Sequence, residues 1–251
     1  VPLAMVLYYA LTDASGAFTL DNIKEIFKVT VLKSFLISIL YALIATAISL
    51  LLAYPLAYYM SLVSQRTQRT MVMLAMLPMW MNFLLRTMAW QVLLEKNGII
   101  NSFLAAIGLP RLAIINTSAA VVLGMVYDYL PFMVLPIYNA IVRIDKNLIE
   151  AAYDLGAEKR TVFAKIIIPL SVPGIVSGVT MVFVPSLTTF AISNMLGGGK
   201  VNLIGNIIEQ EFTASANWNL GSGLSLIMMI FIVISMALIE KFDRNGEGNM
   251  I

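Results

Sequence analysis

The sequence predicts an all-α membrane protein with six transmembrane helices, the first of them truncated. Three observations carry that expectation. Hydrophobic residues make up 60% of the 251 positions and charged residues 12%, with a mean hydropathy of +0.88. A soluble domain is about 45–50% apolar and about 25% charged, so the expected solvent is lipid. The charges are also unevenly spaced, with long uncharged stretches between short polar ones. Finally, there is no Cys and no His. That removes disulfides, thiolate metal sites and the commonest general base and metal ligand. No catalytic residue, metal site or cofactor is expected in this chain, and a net charge of +2 points to no nucleic-acid partner.

The uncharged stretches place the spans, since a helix needs about 20 apolar residues to cross the hydrocarbon. Residues 34–65, 166–199 and 212–239 carry no charge, 70–94 carry only Arg86, and 112–142 carry only Asp128. These are five full spans. Residues 1–12 are apolar but reach only about 18 Å as a helix, and they end at the turn-like Asp13-Ala-Ser-Gly16. They read as the outer half of a first helix whose beginning is missing. A signal peptide is the rival reading, but it needs a basic front end and a small-residue cleavage site. Pro55, Pro78, Pro131, Pro136, Pro173 and Pro185 fall within the spans, where neighbouring helices can satisfy the carbonyls they free. Gly174, Ser177 and Gly178 offer small residues for close helix approach. Nothing resembles a separate soluble domain, so 1–251 reads as one transmembrane domain.

Orientation follows from Lys and Arg, which favour the cytoplasmic side. With 143–165 inside, Arg66, Arg69, Arg143, Lys146, Lys159, Arg160, Lys165, Lys241 and Arg244 lie inside, and Lys24, Lys28, Lys33, Lys96, Arg111 and Lys200 lie outside. The excess is in the expected direction and puts the C-terminus in the cytoplasm. The outer connections 13–33, 95–117 and 200–220 read as loops.

Residues 143–165, RIDKNLIEAAYDLGAEKRTVFAK, carry nine charges, so this connection is built for water or for a protein surface. Asn147 with Glu150 three residues later reads as a capping box. Leu148, Ala151, Ala152 and Leu155 recur at helical spacing as one apolar face. Gly156 supplies the positive φ that ends many helices. A second short helix is expected at Ala157–Phe163. An amphipathic hairpin lying on the lipid surface is the plainer alternative.

Glu150-Ala151-Ala152, three residues, Gly156, nine residues, Ile166, one residue and Ile168-Pro169 resemble the EAA motif of ABC importer permeases. The single departure is Ile168 where that family usually has Leu. YPLAYYM at 54–60, LLRTMAWQVLL at 84–94, YLPFMVLPIY at 129–138, IIIPLSVPGIVSG at 166–178 and MLGGGKVNLIGNIIEQEF at 195–212 are similar to the spermidine/putrescine permeases of that family. The resemblance implies the type I ABC importer permease fold in the bacterial inner membrane. It also implies a second permease subunit, two ATPase subunits that bind ATP and Mg, and an extracytoplasmic polyamine-binding protein. No G-x-x-x-x-G-K-[ST] phosphate loop occurs here, and Gly197-Gly-Gly-Lys200 has the wrong spacing. In the family the EAA helix seats in a groove of the ATPase, which assigns Glu150, Ala151, Ala152, Leu155 and Gly156 to coupling.

A charge in the bilayer is costly and needs a reason. Arg86 and Asp128 stand at similar depths in consecutive antiparallel spans, about 12 and about 15 Å from the outer side at 1.5 Å per residue. Two readings stand: a structural ion pair, or an Asp128 that meets a polyamine ammonium in the pathway. Aromatic rings attract ammonium groups, which adds Trp80, Trp90, Tyr127, Tyr129 and Trp218 to the pathway candidates. Asn82 is added as sharing a helix face with Arg86 four residues on. Glu209 and Glu211 precede the last span as an acidic vestibule or as contacts for the binding protein. The competing functions are a permease for another solute, such as ferric iron or an inorganic anion, and an ATP-independent secondary transporter or channel. The latter predicts an uncharged inner loop.

Overall fold

The protein is described by a computed structural model covering residues 2–248, with side chains as far as Lys241. Val1, residues 249–251 and the Arg244 side chain, which the charge reading placed inside, lie outside the described residues. Among the described residues the regular secondary structure is helical, with one isolated bridge between Thr12 and Phe18. In chain order the helices are α1 (Pro2–Ala10), α2 (Asp21–Lys24), α3 (Val29–Leu62), α4 (Gln65–Trp80), α5 (Phe83–Leu94), α6 (Ile99–Ala106) and α7 (Ser118–Val142). They continue with α8 (Lys146–Asp154), α9 (Lys159–Val162), α10 (Ile168–Thr188), α11 (Ala191–Gly197), α12 (Ile204–Thr213) and α13 (Trp218–Gly248). Four of them are long and apolar enough to cross a membrane: Val29–Leu62, Ser118–Val142, Lys159–Thr188 and Trp218–Lys241.

The remaining spans differ from the sequence reading. The stretch 70–94, expected as one helix, is two helices meeting at a 90° bend. Pro78 brings no N–H to the last turn of α4. Two residues after that helix ends, Asn82 starts a new one, its Oδ1 accepting from the backbone N–H of Leu84 at 2.9 Å and of Leu85 at 3.3 Å. A side-chain oxygen that satisfies the first free donors of a helix fixes its start. Asn82 therefore caps α5 instead of sharing a helix face with Arg86. The expected first span is α1, nine residues long. Its end is held by Asn22 and Asn219, whose Nδ2 groups donate to the Tyr9 and Thr12 carbonyls. The connections read as loops hold α2, α6 and α12. The uncharged run 166–199 leaves the span at Thr188 and turns into α11, and the last span begins at Trp218 instead of 212.

The core forms around α7. In its most apolar 18-residue window 61% of residues are buried, against 28% for α3 and for α13. Helix α3 turns small residues inward along its length, Ser34, Ser38, Ala42, Ala45, Thr46, Ser49, Ala53 and Ala57 all being buried, while Leu36, Leu40, Leu43, Leu51 and Leu52 point outward. Ala45, Ala53 and Ala57 join the core around α7, whereas Ala42 packs with residues of α10, α12 and α13, and the Ser38 Oγ accepts from the Ile204 N–H of α12 at 2.8 Å. Lipid tails are as apolar as leucine, so no hydrophobic force draws large side chains inward. Small residues let backbones approach instead.

Helix α10 crosses α7 through Gly174 and Gly178, both buried. A Cβ on Gly174 would stand 2.6 Å from the Pro136 carbonyl oxygen and 2.5 Å from the Ala140 Cβ. Ser177, grouped with these glycines from sequence, is exposed on the far side of α10. Gly174→Val is expected to destabilise the fold by about 1–3 kcal/mol through overpacking, and Ser177→Ala to be neutral. Thermal unfolding of the purified variants distinguishes them.

Candidate functional site

Two clusters stand out from the packing: the polar connection after α7 and the charges buried between α5 and α7. In the first, Asp145 caps α8, its Oδ1 accepting from the Asn147 N–H at 2.9 Å. The expected cap, Asn147, sits one residue inside the helix. Both are capping residue types, and Asp145 is the one whose backbone is extended, as a cap requires. The helix ends in a Schellman motif. The Ala157 N–H reaches the Ala152 carbonyl at 3.0 Å, and the Gly156 N–H reaches the Tyr153 carbonyl at 2.9 Å. This closure needs a left-handed residue, and Gly156 has φ +83°.

The expected single apolar face divides in two. Ile149, Ala152 and Ala157 pack toward the bundle core. Leu148, Ala151 and Tyr153 are exposed, as is Glu150, and Leu155 at the tip is 89% exposed. Apolar side chains grouped on a polar, water-facing element form the kind of patch that marks an interaction surface.

The second short helix, expected as a separate piece, is the first turn of the next span. From Lys159 the chain runs through α9 and a widened π turn, Phe163–Ile167, into α10 as one 30-residue helical segment. The wide turn lies just before Pro169, which has no N–H to return to the Lys165 carbonyl. The Phe163 ring packs edge-on against Tyr54 and Tyr58, with centroids 5.9 and 4.8 Å away. The Tyr54 hydroxyl is 2.9 Å from the Ser171 Oγ. The polar connection is thus tied to α3 and continuous with α10.

In the second cluster, the Arg86 Nε lies 2.5 Å from the Asp128 Oδ1. The contact is off the N–H axis, so it is a charge contact and not an aligned hydrogen bond. Asp128 is fully buried and Arg86 nearly so. The Arg86 Nη1 donates to the Pro78 carbonyl at 2.7 Å, and the Thr87 Oγ1 stands 3.1 Å from the Asp128 Oδ2. The Arg86 guanidinium sits 5.9 Å from the Tyr127 ring centroid, and that ring is edge-on to Trp90. One arginine therefore binds both sides of the α4–α5 bend and joins α5 to α7. The carboxylate of Asp128 is closed off by Arg86 and Thr87.

The other sequence candidates lie apart. Trp80 is 76% exposed at the bend. Tyr129 is buried, and its hydroxyl donates to the Pro185 carbonyl at 3.4 Å. Trp218 is exposed at the start of α13, with the Tyr9 and Phe212 rings beside it. Glu209 is half-buried on α12 and lines a cavity. Thr87 and Tyr153 were not singled out from sequence. Thr87 carries no signal beyond its neighbour Arg86, whereas an aromatic within the charged connection was a visible one.

The helix order, the bent fourth element and the exposed polar connection between the two best-packed spans define a membrane permease. Residues 45–245 match the family described as binding-protein-dependent transport system inner membrane component, and the chain belongs to that family. It is a non-catalytic transport component of the inner membrane. Among its relatives, the spermidine/putrescine transport system permease protein PotB of Haemophilus influenzae is 37% identical over 255 residues, covering 98% of this chain and 89% of that protein. The protein of the same name from Escherichia coli (strain K12) is 36% identical, covering 90% and 83%. A crystal structure of a bacterial ABC transporter that imports the acidic polysaccharide alginate superposes with a TM-score of 0.77 at 17% identity, covering 97% of this chain and 88% of that one. The MetNI methionine ABC transporter in an inward-facing form gives a TM-score of 0.55 at 18% identity, covering 88% and 99%. These two show the type I importer permease fold.

Proposed function

We propose that this chain is one of two permease subunits of an ATP-driven importer of spermidine and putrescine. The observation that carries the substrate class is the 37% identity to a PotB permease along nearly the whole chain. In this reading a second, PotC-like permease completes the path. Two PotA-like ATPase subunits bind ATP and Mg, and a PotD-like extracytoplasmic protein delivers the polyamine. The segment 143–165 and the C-terminus face the cytoplasm.

Energy enters through a moving contact. Leu148, Ala151, Tyr153 and Leu155 offer the apolar face that docks on the ATPase, and Glu150 offers acceptors beside it. Ala152 and Gly156 hold the helix end in shape. Because 159–188 is one helical segment, displacement of α8 is passed to α10 and, through Phe163, to α3. The Arg86–Asp128 pair is a fixed strut in this scheme, keeping the bend at 81–82 in register with α7. Trp80, Asn82, Tyr127, Tyr129, Glu209 and Trp218 belong to elements around the path.

The test is co-expression with the three partner types, followed by uptake of labelled spermidine into proteoliposomes. ATP- and binding-protein-dependent uptake is expected. Uptake of ferric iron or an anion instead, or uptake without ATPase subunits, overturns the reading.

A further inference from the structure

Between the end of α10, α12 and the first half of α13 lies a cavity of about 530 Å³, open on the side where Phe190, Met229 and Val233 are exposed. Its walls are almost wholly apolar, with Phe190, Phe212, Met228, Met229 and Ile232 among them, and Glu209 is the ionisable group in its lining. Among the described residues no cation of this chain pairs with Glu209. One of its oxygens is 3.2 Å from the Thr213 Oγ1. Phe212 also walls a second cavity of about 350 Å³, and that one shares Tyr9 and Trp218 with a third that opens at Ser215–Asn217. The Phe212, Trp218 and Tyr9 rings stand in series along the lining of these neighbouring pockets.

We infer that the Glu209 cavity is a subsite for one end of an aliphatic amine, its ammonium on the Glu209 carboxylate and its methylenes along Met228, Met229 and Ile232. The inference rests on the polyamine reading above and deepens it. The charge selects the occupant. A carboxylate beside an acyl chain leaves a charge facing hydrocarbon, which is costly, and an anionic solute is repelled. A cation satisfies the carboxylate and gains from aromatic rings on the same wall. Thioether side chains mould to a flexible methylene chain.

The chain has no Cys, so a single introduced thiol reports from inside the cavity. Ser225→Cys, with Met229→Cys as a second reporter in case the first does not fold, is placed in the full complex with cysteine-free partners. Each is labelled with a small water-soluble methanethiosulfonate. Spermidine is expected to slow labelling, and adding Glu209→Gln to raise the concentration needed for half-protection about tenfold, as loss of a charge-assisted contact implies. Labelling that spermidine does not slow, protection unchanged by Glu209→Gln, or a thiol reached only by lipid-soluble reagents overturns the subsite. Uptake of labelled spermidine by the complex without introduced cysteines is measured alongside. If that fails, the polyamine reading falls with the subsite, whereas uptake without protection removes the subsite alone.

Discussion

Arg86→Met is expected to destabilise the protein by about 3–5 kcal/mol, the scale for breaking a buried ion pair by removing one partner. The substitution leaves Asp128 fully buried with only Thr87 within hydrogen-bonding reach, and it frees the Pro78 carbonyl at the α4–α5 bend. Asp128→Asn alone leaves the guanidinium buried without its counter-charge and is expected to cost a similar amount. The double variant Arg86→Met with Asp128→Asn removes both charges and is expected to recover much of the loss. Thermal unfolding of the four proteins, with the yield of assembled complex, closes the cycle. Additive losses mean that the two side chains are not coupled. Normal assembly of Asp128→Asn with reduced spermidine uptake moves Asp128 from the strut to the pathway.

Gly156→Asp is expected to uncouple transport while leaving the protein folded. Nothing lies within 4 Å of the position a Cβ takes there, so no neighbour resists the side chain. The cost arises in the backbone, where φ +83° disfavours a residue with a Cβ by about 1–2 kcal/mol. Asp also adds a negative charge next to Asp154 and Glu158 on the exposed tip. Unwinding the Schellman closure releases the Ala152 and Tyr153 carbonyls and displaces Leu155 from its place beside α8. Binding-protein-stimulated ATP hydrolysis and uptake are expected to fall about tenfold or more, the equivalent of about 1.4 kcal/mol in the docked contact. Gly156→Asn, a residue that tolerates the left-handed region, is expected to keep most of both. Equal activity of Gly156→Asp and the unaltered protein, measured in proteoliposomes, refutes a coupling role for this turn.

Much of this architecture was legible because lipid imposes simple rules. Runs with no charge or a single one located α3, α7, α10 and α13, and the matched depths of Arg86 and Asp128 offered their contact as one of two readings. The bend after α4 was not legible. Pro78 looks the same in sequence as Pro55 and Pro131, which lie within unbroken helices. What differs is Asn82 placed to cap a new helix, and an arginine eight residues from Pro78 able to reach back to its carbonyl. The start of α8 was misplaced because Asp145 and Asn147 are both good caps and only the backbone chooses between them. The apolar face of α8 was misjudged for a related reason. Spacing shows which residues share a side of a helix, but not that Ile149 and Ala152 turn to the core while Leu148 turns away. Short helices such as α12 were hidden because they are too short to register as spans.

Helix α3 separates its attachment to the protein from its attachment to the bilayer. Its buried serines and alanines hold the helix to its neighbours, and most of its leucines face outward. Those two surfaces can therefore be rewritten independently. Exchanging Leu36, Leu40, Leu43 and Leu51 for glutamate, lysine and glutamine would change the medium this helix tolerates while leaving its buried seam of small residues intact. A single Ala45→Leu, which hydropathy scores as more suited to a membrane, would force α3 off its neighbours. For this helix, greasiness is a measure of solubility, and fit is written in its smallest residues.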